Sequence, residues 1–257
     1  MKRALIGHSG FVGGTLRATG GYTHCYNSRN FREMQGQSFD EIVCAGIPAV
    51  KWLANKEPDQ DRTAIGSLVD VLRTARAARF VLISTIDVYP DPSQPVDEGA
   101  DLSGLPNHPY GRHRWEVEQF ATERFPTHAI IRLPALFGTG LKKNALFDLL
   151  HDNMVDRVNP ACVFQWYPMA RLADDLRRAI DAGLPLVNLV TEPVAMRDII
   201  ARFFPDAPVG PETVPAPHYA LRTRHAPLFG SAPPYRLTAE EVFAHMASFI
   251  DQVRQRG

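Results

Sequence analysis

The chain has 257 residues, enough to bury a full hydrophobic core as one large α/β domain or as a domain with a small appendage. Its 28 basic and 28 acidic residues cancel and no basic run occurs, so nucleic acid and anionic membranes are not expected partners. We see no signal-peptide segment and no apolar stretch long enough to span a bilayer. Cys25, Cys44 and Cys162 lack metal-ligand spacing. We therefore expect a cytoplasmic protein without a metal, whose thiols are buried and reduced.

The chain begins with a short apolar strand and a glycine-rich turn. Residues 4–6 have the pattern of a buried strand, and Gly7-His8-Ser9-Gly10-Phe11-Val12-Gly13 leads into a helical pattern that stops at Gly20 and Gly21. A helix N-terminus offers unpaired N–H groups, and glycine lets phosphate oxygens approach the backbone. The turn predicts a pyrophosphate site, although its G-x-x-G-x-x-G spacing differs from the commoner G-x-G-x-x-G and glycines also mark ordinary turns. The predicted cofactor-binding residues here are Gly7, Ser9, Gly10, Phe11, Val12 and Gly13.

Strand and helix patterns then alternate along most of the chain. Helical faces are predicted within residues 61–78 and 172–180, and strands at residues 22–26, 41–45, 80–83, 128–133 and 186–190. Such alternation indicates right-handed crossovers on a parallel sheet. We expect an α/β fold, a Rossmann-type doubly wound parallel sheet with a small C-terminal substrate-side subdomain. Residues 1–165 are the predicted dinucleotide-binding domain, and residues 166–257 hold the remaining sheet elements and the subdomain.

The last quarter of the chain changes character. Eight of the 21 prolines fall between Pro205 and Pro234, which predicts an irregular surface segment. It is predicted either to build the substrate side of a cleft or simply to wrap the surface. Thr238 and Glu241 have the spacing of a capping box at the start of a final helix. Its predicted core face comprises Phe243, Met246, Phe249 and Ile250.

Polar residues follow the fourth predicted strand. Ser84 and Thr85 stand at its carboxyl end, which in an open parallel sheet faces the ligand crevice. A proline-rich loop then leads to Tyr110, where a helical pattern begins. Tyr110 and Arg114 are four residues apart and therefore share one helix face. The simpler alternative is a surface helix start with a solvated arginine.

Together these motifs resemble an extended short-chain dehydrogenase/reductase of the NAD-dependent epimerase/dehydratase type. The glycine turn, Ser84-Thr85 followed by Val88-Tyr89, the Tyr110 helix and the segment Arg132-Leu133-Pro134-Ala135-Leu136-Phe137-Gly138 occur in the family's order and spacing. The resemblance covers residues 1 to roughly 200 and is specific for the superfamily rather than for one reaction. It implies three catalytic positions, Thr85, Tyr110 and Arg114, and four further cofactor contacts, Ala45, Gly46, Ser84 and Pro134.

In such a site Tyr110 exchanges a proton with a substrate hydroxyl or carbonyl while hydride moves to or from nicotinamide, and Thr85 holds the substrate oxygen. The pKa of tyrosine, near 10, is too high for a base at neutral pH. A cation about 4 Å away would lower it by up to about three units. The family has lysine where this chain has Arg114, which carries a permanent charge and cannot join a proton relay. Either Arg114 substitutes with altered geometry, or the chain has kept the nucleotide site and lost efficient chemistry.

The cofactor preference depends on the end of the second strand. NAD-binding members place an acidic residue about 20 positions after the first glycine. Here that region reads Asn27-Ser28-Arg29, with no carboxylate to repel a 2′-phosphate. The predicted cofactor is therefore NADP, with NAD left open, and Asn27, Ser28 and Arg29 are predicted to contact it. Arg29 is alternatively an ordinary loop charge or stacks on adenine.

Two function classes remain open. The first is an NAD(P)-dependent oxidoreductase, epimerase or dehydratase acting on a small molecule with a sugar-like hydroxyl or carbonyl, including nucleotide sugars. The second is a non-catalytic NADP-binding sensor or assembly protein of the same fold. Thr85 and Tyr110 favour the enzyme. Arg114 and Ala135, which stands near the position of a substrate-binding asparagine in the family, favour the alternative. The resemblance also implies a homodimer, through helices that include the Tyr110 segment.

Overall fold

The computed structural model describes residues 1–255, which fall into two compact units. The first unit comprises Met1–Pro90, Ala100–Arg132 and Leu172–Val187, and the second comprises Asp91–Gly99, Leu133–Arg171 and the chain from Asn188 onward. The chain therefore passes between the units several times. We predicted that residues 1–165 bind the dinucleotide and that residues 166–257 complete the sheet and form the substrate-side subdomain. This assignment of roles stays a prediction.

The elements are as follows. The strands are β1 (Arg3–Ile6), β2 (His24–Tyr26), β3 (Ser38–Cys44), β4 (Arg76–Thr85), β5 (His128–Leu133), β6 (Ala135–Phe137), β7 (Val163–Pro168), β8 (Leu186–Asn188) and β9 (Pro193–Ala195). The helices are α1 (Phe11–Ala18), α2 (Lys51–Lys56), α3 (Pro58–Thr74), α4 (Pro109–Arg124), α5 (Ala145–Leu150), α6 (Leu172–Asp181), α7 (Met196–Phe203) and α8 (Ala239–Arg254).

A six-stranded sheet in the order β2-β1-β3-β4-β5-β8 forms the centre of the first unit. Strand β1 pairs in parallel with β2 and with β3, because the partners advance in the same direction: Ala4 lies opposite His24 and Ile6 lies opposite Tyr26. The predicted Rossmann-type fold is confirmed. Since β1 lies between β2 and β3, the direction of strand addition reverses beside it. In open α/β sheets, ligands bind at the carboxyl ends of the strands next to such a switch point.

The sheet extends further than the apolar pattern indicates. We predicted a helix over residues 61–78 and a strand at 80–83, but α3 ends at Thr74 and β4 already begins at Arg76. The added residues carry charge pairs between neighbouring strands. Glu41 on β3 accepts ion pairs from Arg3 on β1, at 2.7 Å, and from Arg79 on β4, at 3.2 Å. These cross-strand pairs stabilise a sheet end that apolar periodicity does not mark.

The second unit contains a small sheet in the order β6-β7-β9, with β6 and β7 parallel and β7 and β9 antiparallel. Helix α8 begins with the predicted capping box, formed by Thr238 and Glu241. Its buried residues are Val242, Met246, Phe249 and Ile250, so one predicted core residue, Phe243, is only partly buried. The proline-rich segment is irregular apart from a short turn at Ala226–Phe229, as predicted.

Two cysteines, Cys44 and Cys162, are buried, whereas Cys25 is only partly buried because β2 is an edge strand. Burial raises the pKa of the Cys44 thiol to about 11. Within residues 1–255, no group of three or more His, Cys, Asp or Glu side chains is arranged to hold a metal ion. No helix in the same range is both long and apolar enough to cross a membrane.

The capping box makes a measurable contribution to stability. We expect Thr238→Ala to lower the free energy of unfolding by about 1 kcal/mol, because the Glu241 backbone N–H loses its acceptor. Denaturant unfolding measures the change. Ser248→Ala is the matched control on the exposed face of the same helix, where the hydroxyl only donates to the Ala244 carbonyl. Equal effects of the two changes would contradict the assignment.

Candidate functional site

The glycine turn after β1 leaves the start of α1 open. Gly10 is the N-cap residue, no side chain accepts a bond from the first helical turn, and that turn contains no acidic residue. The Gly7 N–H donates to the Tyr26 carbonyl at 2.8 Å, which ties the turn to the end of β2. The helix N-terminus therefore presents free N–H groups and its positive dipole end, as an anion site requires.

The three glycines of the motif have different reasons to be glycine. A Cβ on Gly7, where φ is +84°, would lie 2.3 Å from the Ala45 carbonyl oxygen. A Cβ on Gly13 would lie 2.1 Å from the Gly7 oxygen. At Gly10 the nearest atom is 3.4 Å away, an ordinary contact. Gly7 and Gly13 are thus required by packing, while Gly10 leaves the outer side of the turn free for a ligand.

The structure brings part of the predicted cofactor set together. Gly7, Ala45 and Gly46 are in contact at the carboxyl ends of β1 and β3, and Ser9, Phe11 and Val12 belong to the turn and first helical residues. Asn27 directly follows β2, where its Oδ1 accepts the Arg29 backbone N–H at 2.9 Å. The predicted contacts Ser28 and Arg29 are exposed beside it.

The remaining two predicted cofactor residues are Ser84 and Pro134, and their part in cofactor binding stays a prediction. Ser84 donates its hydroxyl to Glu118 at 2.5 Å, within a buried network in which Arg132 pairs with Glu118 and donates to the Tyr89 hydroxyl. Ser84 is therefore engaged inside the first unit. Pro134 follows β5 in the second unit.

The predicted catalytic residues Thr85 and Tyr110 are adjacent. Thr85 ends β4, and its hydroxyl accepts the Asp87 backbone N–H at 3.1 Å and is near enough to the Tyr110 phenol to lower its pKa. Helix α4 begins at Pro109 and is capped by His108, whose Nδ1 accepts the Gly111 N–H at 3.0 Å. A Cβ on Gly111 would lie 2.1 Å from the Asp87 carbonyl oxygen. Glycine at this position thus lets the first turn of α4 come close enough to place Tyr110 beside Thr85.

Arg114 is buried, with 3 % of its surface exposed, so the interpretation of a solvated surface arginine is wrong. Its guanidinium makes a bidentate pair with Asp61, at 2.5 and 2.8 Å, and donates to the Pro48 and Tyr110 carbonyls. The guanidinium carbon lies 3.9 Å from the centroid of the Tyr110 ring, so the cation covers the ring. His113 also contacts Asp61, at 2.8 Å.

The electrostatics of Tyr110 differ from the sequence expectation. Burial raises its pKa to about 12, and Asp87 and Asp61 raise it as well, while Arg114 and the Thr85 hydrogen bond lower it. The expected cation is present, but its charge is paired with Asp61, and desolvation of the phenolate outweighs it. Tyr110 therefore keeps its proton at neutral pH.

The carboxyl of Asp61 is held in its charged form. Burial acts to raise its pKa, but hydrogen bonds from Arg114 and His113 outweigh burial, and the net pKa lies below the usual value of 3.8. The folded-state pKa is thus below the unfolded one. The stability that Asp61 contributes is complete above the unfolded pKa and is lost as the pH falls through the folded pKa.

A second ion pair adjoins these residues. The Lys51 ammonium lies 2.7 Å from the Asp87 carboxylate, two residues beyond Thr85. Burial lowers the pKa of His108, and the charge of Lys51 lowers it further. Sequence reasoning did not find Lys51, Asp61 or Asp87 as site residues. Lys51 and Asp61 belong to α2 and α3 and reach the site only through the fold, so no local spacing marks them.

Comparison with known proteins decides the family. A family model described as the NAD dependent epimerase/dehydratase family matches residues 26–159, more than half of the chain. The chain belongs to this family. The match begins at Tyr26, after the glycine turn, so the assignment of the turn rests on its own geometry. A search of curated proteins found no significant match.

Solved structures support the family's fold. UDP-glucose 4-epimerase from Thermotoga maritima, solved with UDP-glucose, is 16% identical, with a TM-score of 0.73 over 100% of this chain and 99% of that one. A dTDP-4-dehydrorhamnose reductase from Bacillus anthracis in complex with NADP is 18% identical, with a TM-score of 0.73 and 98% and 99% coverage. An NAD-dependent NDP-hexosamine 5,6-dehydratase of tunicamycin biosynthesis is 18% identical, with a TM-score of 0.72 and 90% and 91% coverage. These similarities establish the epimerase/dehydratase fold rather than a particular reaction.

The different roles of the motif glycines can be tested. We expect Gly10→Ala to fold normally and to weaken dinucleotide binding about tenfold or more, since the added methyl group occupies the free side of the turn. Gly14→Ala is the matched control, because its Cβ meets nothing closer than 3.8 Å. Calorimetric titration measures binding, and thermal melting checks the fold. Unchanged affinity in Gly10→Ala would refute the assignment of the turn.

The Asp61–Arg114 pair yields a second prediction for this family member. Asp61→Asn should lower the free energy of unfolding by about 3–5 kcal/mol, because it leaves a buried guanidinium unpaired. It should also lower the pKa of Tyr110, since the charge of Arg114 is no longer offset by a carboxylate. Chemical denaturation and ultraviolet titration of the phenolate measure the two effects.

A control and a second variant complete this test. Glu116→Gln removes an exposed pair with Arg62 and should change stability by less than about 1 kcal/mol. If Asp61→Asn does not fold, the double change Asp61→Asn with Arg114→Met should restore stability by removing the unpaired charge. A raised pKa of Tyr110 in Asp61→Asn would contradict the expectation that the Asp61 carboxylate offsets the charge of Arg114.

Proposed function

We propose that this protein is an NAD(P)-dependent enzyme, with NADP preferred, that acts on a hydroxyl or carbonyl group of a nucleotide sugar. One observation carries the proposal. The neighbouring Thr85 and Tyr110 side chains and the open glycine turn both lie at the carboxyl edge of one parallel sheet, after β4 and β1. A proton donor and a pyrophosphate site on the same sheet edge are the minimum that such chemistry requires.

The turn fits a dinucleotide. The free side of Gly10, the uncapped N-terminus of α1 and the absence of an acidic residue within Asn27–Arg29 all favour a phosphorylated ligand. Gly7–Gly13 would hold the pyrophosphate, and Asn27–Arg29 would face the adenosine end. When bound, the nicotinamide supplies or accepts a hydride. The missing carboxylate after β2 supports NADP over NAD.

The protonated state of Tyr110 supports a donor role. The phenol is protonated at neutral pH and can therefore give a proton to a carbonyl oxygen, although a pKa of about 12 makes it a weaker acid than free tyrosine. Thr85, whose hydroxyl is near the phenol, would hold the same substrate oxygen. Arg114 fixes the ring through its contact with the ring face. This arrangement favours the reductive direction.

The substrate class is supported by the neighbours. The epimerase and reductase described above act on, or were solved with, sugars linked to UDP or dTDP. Ala135, which lacks an amide, removes one contact that the family resemblance implies.

One observation favours the alternative function. The charge of Arg114 is paired with Asp61, and burial raises the pKa of Tyr110 to about 12, both of which oppose proton exchange. A protein with an intact nucleotide site and a proton donor of this kind could serve as a non-catalytic NADP-binding sensor or assembly protein.

The decisive experiment combines binding with turnover. We expect wild type to oxidise NADPH with a member of a panel of UDP- and dTDP-linked keto sugars, and Tyr110→Phe to lower the rate by about 10²–10⁴-fold. Absorbance of NADPH follows turnover, and calorimetry shows whether the variant still binds cofactor. Tight NADPH binding with no turnover across the panel would reject the enzyme and favour the sensor.

Arg114→Lys separates two roles of residue 114. The ammonium cannot reproduce the bidentate pair with Asp61, so we expect lower thermal stability. If pairing is what keeps the charge from Tyr110, the freed ammonium should shift the pH profile of kcat to lower pH. An unchanged profile would show that residue 114 acts only as a structural support. The Arg114→Lys variant keeps His113, which contacts the same Asp61 carboxylate.

A further inference from the structure

His8, the second residue of the glycine turn, connects two elements through its ring. Its Nδ1 lies 3.3 Å from an Arg17 guanidinium nitrogen on α1. Its Nε2 lies 3.3 Å from the Asn27 amide nitrogen, just after β2. Arg17, His8 and Asn27, here called the donor cluster, therefore form a continuous row along the turn.

The donor cluster has more hydrogen-bond donors than acceptors. A neutral imidazole has one N–H and one acceptor nitrogen, whereas the guanidinium and the amide nitrogen can only donate. In either tautomer, one ring N–H faces another N–H. Turning the Asn27 amide over does not relieve the conflict, because its Oδ1 already accepts the Arg29 backbone N–H at 2.9 Å.

The surroundings add no acceptor of the right charge. Among residues 1–255, Arg17 makes no ion pair, and no carboxylate joins the donor cluster. The neighbouring Ser28 and Arg29 side chains are exposed and add further donors. A ligand with several acceptor oxygens and negative charge would satisfy all these groups at once.

We propose that the donor cluster binds the 2′-phosphate of NADP, with Arg17 and His8 as specificity residues beyond the predicted Ser28 and Arg29. This inference rests on the proposed function of the glycine turn as a dinucleotide site. A phosphate monoester only accepts hydrogen bonds and is charged, so it completes the cluster. The corresponding hydroxyl of NAD is uncharged and leaves most of the donors unpaired.

Arg17 is better placed for this role than a free loop arginine. It projects from a helix and its guanidinium already lies against the His8 ring, so less side-chain freedom is lost on binding. The Arg29 side chain is exposed and makes no hydrogen bond or ion pair among the described residues, although hydrogen bonds of Asn27 and Asn30 hold the backbone of its turn. Both arginines can contribute, but the donor cluster predicts the larger effect for Arg17.

The test compares two dinucleotides by calorimetry. We expect wild type to bind NADP⁺ more tightly than NAD⁺. Arg17→Met should weaken NADP⁺ binding by about ten- to a hundredfold while NAD⁺ affinity stays within about twofold. His8→Phe should act in the same direction. Arg73→Met, another exposed helical arginine, is the matched control and should change neither affinity.

A competitor identifies the phosphate that is bound. We expect 2′-AMP to displace NADP⁺ from wild type more effectively than 5′-AMP does, and to lose that advantage in Arg17→Met. Equal effects of Arg17→Met on both dinucleotides, or an effect confined to Arg29→Met, would overturn the inference while leaving the turn as a dinucleotide site. Failure of wild type to bind either dinucleotide would instead refute the proposed function together with the inference.

Discussion

At Gly7, Gly13 and Gly111 the backbone of one element comes so close to another that a Cβ atom would overlap a carbonyl oxygen. The first two contacts join the carboxyl ends of β1 and β3 to the start of α1. The third sets the first turn of α4 against the backbone of Asp87. Without these close backbone contacts, the open N-terminus of α1 would not face outward from the sheet edge, and Tyr110 would not reach Thr85. The positions of the candidate cofactor and proton-donor groups thus depend on backbone contacts that only glycine allows, because it has no Cβ atom.

The replacement of the family lysine changes what a cation at position 114 can do. A lysine at this place presents a compact charge that can move and exchange protons, whereas Arg114 presents a flat fork that matches a carboxylate. The two terminal nitrogens of the fork bind Asp61 and two backbone carbonyls, whereas the buried Nε has no hydrogen-bond partner among the described residues. Arg114 and Asp61 stabilise each other, and Arg114 still lowers the pKa of Tyr110, but by less than burial raises it. In this chain the residue that resembles a catalytic cation is therefore also bound into the packing behind the tyrosine ring.

The sequence predicted the features that local pattern controls. The glycine turn, the order of strands, the shared face of Tyr110 and Arg114, and the capping box at Thr238 follow from periodicity and fixed spacings. Pattern could not predict Asp61 as the partner of Arg114, because helical periodicity tells which residues face inward but not what they meet there. The early start of β4 was missed because charge pairs through Glu41, and not apolar residues, extend the sheet. His8 was inside the recognised motif, yet its conflict of donors appears only when Arg17 and Asn27 are placed around it.

These observations separate two properties that the family usually combines. Cofactor binding depends on the turn after β1 and on the donor cluster, where the surplus of N–H groups favours a phosphate whatever the state of Tyr110. The proposed proton transfer depends on the surroundings of Tyr110, where burial, Asp87 and Asp61 raise the pKa of the phenol and Arg114 lowers it. Because the two regions share no side chain among the contacts described above, a change in one need not alter the other. On the proposed function, such a chain could keep its dinucleotide site when the surroundings of Tyr110 change, and reduction of a carbonyl is the reaction in which a protonated tyrosine is the state required.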